Sequence, residues 1–176
     1  MSLRAGLFLL AFTMPVVLYL YGKFRHGLDL QPSMSAYFWA AGEGQCATFP
    51  MRTIFVGYLF AVGVGLFGYK GLTNLENSLL NAAALCVFTV AIFPERLFLE
   101  EATSQPQVAQ LFAACPAIKD WAMQDTLPIH YMAAVILFVL LAAVAWFCAN
   151  KSLDYLPVEH DPARFRRTYR MIAILM

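Results

Sequence analysis

The chain has 176 residues, 61% of them apolar and 13% charged, against roughly 45–50% and about 25% in a soluble domain. Twelve basic and eleven acidic residues leave a net charge of +1, which argues against a nucleic-acid binder that relies on bulk positive charge. A Leu/Phe/Ala-rich composition with ten glycines in no period and four cysteines excludes disorder, collagen and a disulfide-dense miniprotein. What remains is an integral membrane protein.

A helix needs about 20 mostly apolar residues to cross a roughly 30 Å hydrocarbon core. Four stretches qualify: residues 3–21, 53–69, 75–93 and 129–148. The first follows Arg4 as a signal peptide would, but no small-x-small cleavage pattern comes after it, only Leu20-Tyr21-Gly22-Lys23-Phe24, so it reads as an uncleaved span. All four are continuous apolar runs and not alternating ten-residue segments, which predicts helices over barrel strands. Residues 70–74 join the second and third spans in a tight antiparallel hairpin. Two long outer loops, 22–52 and 94–128, separate the others, and an inner basic tail occupies 149–170. Asp161-Pro162 predicts the start of a short basic C-terminal helix. It is either interfacial or a fifth span cut short at Met176, the second being favoured. The expected fold is therefore all-α: one transmembrane domain over 1–176, a helical bundle with four full spans.

Basic residues set the orientation. With the N-terminus inside, the inner side collects Arg4, Lys70, Lys151, Arg164, Arg166, Arg167 and Arg170, and the outer side Lys23, Arg25, Arg52, Arg96 and Lys119. The positive-inside bias then predicts an inner, cytoplasmic N-terminus with both long loops outside.

Chemistry gathers in those loops. Cys46 and Cys115 lie one in each, and in an oxidising compartment a disulfide between them would staple the loops together. The other reading is two unrelated buried thiols. No Cys-x-x-Cys or His-x-x-His spacing points to a metal. In the second loop, Ser104-x-x-Gln107 has capping-box form, and Val108, Leu111, Phe112 and Cys115 recur at helical spacing, predicting a lid or an interfacial helix with Trp121 at headgroup depth.

The most reactive outer set is His26, Ser33, Ser35, Tyr37, Glu43, Arg52, Glu95, Asp125 and His130. Arg52 opens span two and His130 opens span four. With Ser33, Tyr37 and Glu43 they form a candidate binding site for a lipid phosphate or carboxylate. With Ser35 and Asp125, His130 forms a candidate catalytic set for a lipid ester. The plain alternative is an interfacial His and Arg that bond loop carbonyls and anchor helix ends. Within the spans, Gly57, Ala61 and Gly65 recur every four residues and predict close helix packing or a partner-binding face. Asn77 and Asn81 share a face with Asn74 and Ser78 and are expected to point into the bundle. A solute path along them is the sharper alternative, though no acidic residue sits at mid-membrane depth.

Several of these residues carry a resemblance. Gln31-Pro32-Ser33-Met34-Ser35-Ala36-Tyr37 stands in the first outer loop, and Arg52-x-x-Phe55-Val56-Gly57 opens span two. A Tyr69-Lys70-Gly71 turn follows, then Asn81 and Phe93-Pro94 in span three, and Ile129-His130-Tyr131 opens span four. In this order the chain resembles uncharacterised bacterial multi-span membrane proteins distantly similar to the DRAM/FRAG-like family. The resemblance implies about six spans and a histidine at the mouth of a later one, and it links the chain to membrane lipid handling without lending a catalytic mechanism. The expected role is non-enzymatic: an outer pocket, roofed by two loops, that holds membrane lipid or contacts partner subunits or a second copy. The alternatives are a lipid-modifying hydrolase or transferase at the outer leaflet and, third, a solute transporter. The residues leave the question of a cofactor open.

Overall fold

The computed structural model describes residues 3–40, 49–95, 113, 128–148 and 162–175. Among them every regular element is helical. Helix α1 covers Leu3–His26, α2 Pro50–Gly68, α3 Asn74–Ile92 and α4 Ile129–Ala143, which continues as a π-helical turn over Val144–Cys148. Helix α5 covers Pro162–Leu175. Four helices, over Ala5–His26, Met51–Gly68, Asn74–Ile92 and Ile129–Phe147, are long and apolar enough to cross a membrane. The chain is an integral membrane protein, because nothing but lipid would cover the aliphatic and aromatic surface that α1 and α4 leave exposed, such as Phe8, Phe12, Val135 and Val139.

The helices pack in chain order, α1 on α2, α2 on α3 and α3 on α4. Successive helices reverse direction, so the end of α1, the start of α2, the end of α3 and the start of α4 share one end of the bundle, the mouth. Helix α1 runs five residues past the predicted Tyr21 and shortens the first loop accordingly. Gly27 then stops it with φ +64°, a left-handed cap that glycine adopts without a Cβ penalty. Its N–H donates to the Lys23 carbonyl at 3.2 Å, and Leu28 N–H donates to that of Gly22 at 3.1 Å. This folds Leu28 back against Gly22 and Met51. Inside α1, Pro15 withholds an N–H from the ladder.

The α2–α3 hairpin is tied by its own side chains. Thr73 caps α3, its Oγ1 accepting from Glu76 N–H at 3.1 Å. The buried Glu76 carboxylate accepts from Leu72 N–H at 2.8 Å, and Asn77 Oδ1 from Gly71 N–H at 2.6 Å. Thr73-x-x-Glu76 is the capping signature in sequence. Among the described residues the Asn77 side chain thus serves the turn and not a neighbouring span, a correction to the expected asparagine stripe. Asn81, one turn on, is half-buried.

The small-residue stripe divides. A Cβ on Gly65 would strike Leu7 of α1, while Gly57 has open space around it and Ala61 is exposed. Gly63, outside the stripe, makes the close contact with α3, against the Phe88 ring. Internal packing therefore uses Gly63 and Gly65, and Gly57 and Ala61 face outward. Leu66, Leu80, Ala83, Ala84 and Val87 form the membrane-embedded core, joined by Leu137, Leu140 and Leu141 of α4. Helix α5 packs on the end of α4, with the Arg170 guanidinium 5.4 Å from the Trp146 ring centre.

Candidate functional site

A second core lies at the mouth. Tyr37, Phe38, Trp39 and Ala40 of the first loop are buried with Leu18, Leu28, Met51 and Phe55. Residues 37–40 are thus packed in and no loose roof. The loop's Ser35–Phe38 stretch forms a 3-10 helix packed on α2, started by Ser33, whose Oγ accepts from Ala36 N–H at 3.0 Å. The three aromatics in sequence order are the signal for this second core: a run of that bulk at the membrane boundary has to be buried or sit in lipid.

His130, second residue of α4 and 6% exposed, joins three segments. Its Nδ1 lies 2.7 Å from the Phe93 carbonyl oxygen and its Nε2 3.0 Å from Ser35 Oγ. A carbonyl oxygen only accepts, so Nδ1 carries the hydrogen. In the neutral ring Nε2 is then an acceptor and takes the Ser35 hydroxyl hydrogen. Phe93 follows the last residue of α3, where helix carbonyls lose their intrahelical partners, and His130 supplies one. The sequence signal is Phe93-Pro94: the proline ends the helix and leaves a carbonyl for another element.

Glu95 binds the same segment. Its Oε2 accepts from Ser33 Oγ at 2.7 Å, its Oε1 from Tyr131 OH at 3.2 Å, and its backbone carbonyl from Trp39 Nε1 at 2.7 Å. Loop one, the end of α3 and the start of α4 are thereby fastened at one place. Arg52 holds the segment from the α2 side. Its guanidinium lies 4.1 Å from the Phe49 ring centre, 4.4 Å from that of Phe38 and 5.5 Å from that of Trp39, as cation–π contact requires. Its Nε reaches the Phe38 carbonyl at 3.5 Å.

Of the residues predicted to act together, Ser33, Ser35, Tyr37, Arg52 and His130 do converge, all on residues 33–40 or their contacts. Tyr37 is 2% exposed in the aromatic core, its hydroxyl buried without a hydrogen-bond partner among the described residues. His26 stands apart at the end of α1, its ring 5.4 Å from that of Tyr21, beside an exposed Lys23–Asp29 ion pair of 3.0 Å. Glu43, Asp125, Cys46, Cys115 and the second-loop segment around Ser104 and Trp121 lie outside the described residues. Cys86, in α3, is a free thiol. Sequence reasoning left Glu95 without a role and passed over Trp39 and the Phe93 carbonyl. No group of three or more potential metal ligands occurs among the described residues. No family model, curated protein or solved structure matches the chain.

Proposed function

We propose that this membrane protein holds a lipid at its mouth, with the headgroup against the clasp formed by residues 33–40, Arg52, Glu95 and His130. The observation that supports the reading is the clasp itself. Hydrogen-bonding and charged side chains are expensive within membrane-crossing helices and are kept where they serve a ligand or pathway. Here a histidine and an arginine stand in the first turn of two apolar helices of membrane-crossing length, the end of a span being where headgroups lie. Arginine suits a phosphate or carboxylate there. The resemblance to the DRAM/FRAG-like membrane proteins, whose eukaryotic members handle lipid, agrees with it. A bacterial inner membrane, a cytoplasmic N-terminus and a Cys46–Cys115 bridge between the outer loops belong to the same reading.

The test is lipid extraction and native mass spectrometry of the full chain in mild detergent. The expected result is one enriched lipid class at near-stoichiometric amount, diminished by Trp39→Ala, which removes the central aromatic of the clasp. Lipid content no higher than that of an unrelated four-span protein prepared alike would refute it.

A second reading, a subunit of a membrane complex or of a homo-oligomer, is favoured by Gly57 and Ala61. Small residues on an outward helix face let another helix approach closely. Loss of a stable assembly on Gly57→Leu would support it.

A further inference from the structure

We propose that Ser35 and His130 are a nucleophile and general base directed at the acyl ester bond of a membrane lipid. The inference rests on the lipid-holding reading and adds chemistry to it. A serine acts as a nucleophile when a base lies within hydrogen-bond reach and a third group orients that base. Ser35 Oγ is 3.0 Å from His130 Nε2, and the Phe93 carbonyl, 2.7 Å from Nδ1, fixes the ring with its lone pair on the serine. The carbonyl does the orienting that a carboxylate does in a Ser-His-Asp triad.

Two observations separate this pair from a mere fastener. The segment is already held without it: Ser33 and Trp39 bond Glu95, Arg52 stacks on Phe38, and Tyr37, Phe38 and Trp39 fill the mouth core. Ser35 itself is only half-buried, the partial exposure that a substrate would need. The depth also fits. His130 lies one residue inside α4, next to the exposed Tyr131 and Met132, and the end of a membrane-length helix is where the hydrocarbon gives way to headgroups and acyl esters.

The step balances with water as co-reactant. Ser35 Oγ bonds to the ester carbonyl carbon while its proton passes to His130 Nε2. The bond from that carbon to the lipid's alcohol oxygen breaks, and Nε2 returns the proton to the departing alcohol. Water then adds to the acyl-serine, giving its proton to Nε2. The acyl–Oγ bond breaks, Oγ recovers the proton, and a fatty acid leaves.

The experiment treats the full chain in mild detergent with a fluorophosphonate probe and maps the adduct by peptide mass spectrometry. Hydrolysis of 4-nitrophenyl butyrate and retained lipid are measured on the same samples. Ser35 is expected to carry the label. Ser35→Ala abolishes label and hydrolysis while keeping the melting temperature and retained lipid, His130→Gln lowers both rates at least about 100-fold, and Ser78→Ala on α3 leaves them unchanged. An unlabelled Ser35 in protein that retains its lipid overturns the pair and leaves lipid holding intact. Equal labelling in His130→Gln overturns the base role. Label on Ser35 in protein that retains no lipid supports the pair and refutes lipid holding.

Discussion

Replacing Glu95 by alanine removes the node on which loop one, α3 and α4 meet. Two side-chain bonds go: the 2.7 Å bond from Ser33 and the 3.2 Å bond from Tyr131. The first, to a carboxylate and partly buried, is worth about 1.5–3 kcal/mol, and the second, longer and exposed, about 0.5–1 kcal/mol. The Trp39 bond survives, because it is made to the Glu95 backbone. The expected loss is therefore about 2–4 kcal/mol, and it falls on local opening of the clasp, since the apolar core between α2, α3 and α4 is untouched. At 1.36 kcal/mol per factor of ten, opening becomes roughly 30- to 1000-fold more frequent. Hydrogen exchange in lipid nanodiscs reads this at the amides of Ala36, Trp39 and Ala40, which donate to Ser33 Oγ, Ala36 O and Tyr37 O. Glu95→Gln keeps one acceptor oxygen, for Ser33, and its NH2 can only donate, to the Tyr131 hydroxyl oxygen, so it is expected to lose less than alanine does. The Gly71 amide, bonded to Asn77 at the far end, serves as the control. Unchanged exchange at residues 36–40 in Glu95→Ala, or equal effects of Ala and Gln, would refute the node.

Three further outcomes are expected. Gly63→Ala drives a methyl into the Phe88 ring, itself packed 5.3 Å from Phe60, and costs about 1–3 kcal/mol. Gly57→Ala, in open space, does not destabilise, and melting curves in micelles compare the two. Glu76→Ala strands the Leu72 N–H beside a buried side chain and costs about 1.5–3 kcal/mol, while Thr73→Val loses only the cap, about 1 kcal/mol; denaturant titration in mixed micelles ranks them. For orientation, Lys70→Cys reacts with a membrane-impermeant maleimide only after lysis and Asp29→Cys reacts in intact cells with a permeabilised outer envelope; the reverse pattern inverts the topology.

Much of the bundle was legible because its cause is local. Lipid solvates apolar residues, and a helix is the one open-chain structure that pairs its own backbone there, so α2, α3 and α4 begin within three residues of their predicted starts. The first helix overran its prediction because Gly22–His26 is polar enough to resemble a loop, and the stop is Gly27. The small-residue stripe was legible only in part, for a related reason. Spacing identifies a face, but whether Gly57 or Gly63 meets a neighbour depends on how α2 is rotated against α3, and hydrophobic periodicity is weak in a helix apolar all round.

At the mouth, the residue types were readable while their pairing was not. Serines, an arginine and a histidine at helix starts mark a polar ring in any topology, and Ser35 and His130 could be grouped from that alone. They lie 95 residues apart in sequence, however, and a hydrogen bond has a tolerance of a few tenths of an ångström. Tertiary packing of α3 against α4 brings the Phe93 carbonyl to His130 and so selects the ring tautomer. It also turns Tyr37 inward to the aromatic core and hands Glu95 to Ser33. Local composition settles which segments enter the membrane. Which atoms meet at its boundary is settled by the rotation of each helix and the path of a loop, and neither leaves a periodic trace in the chain.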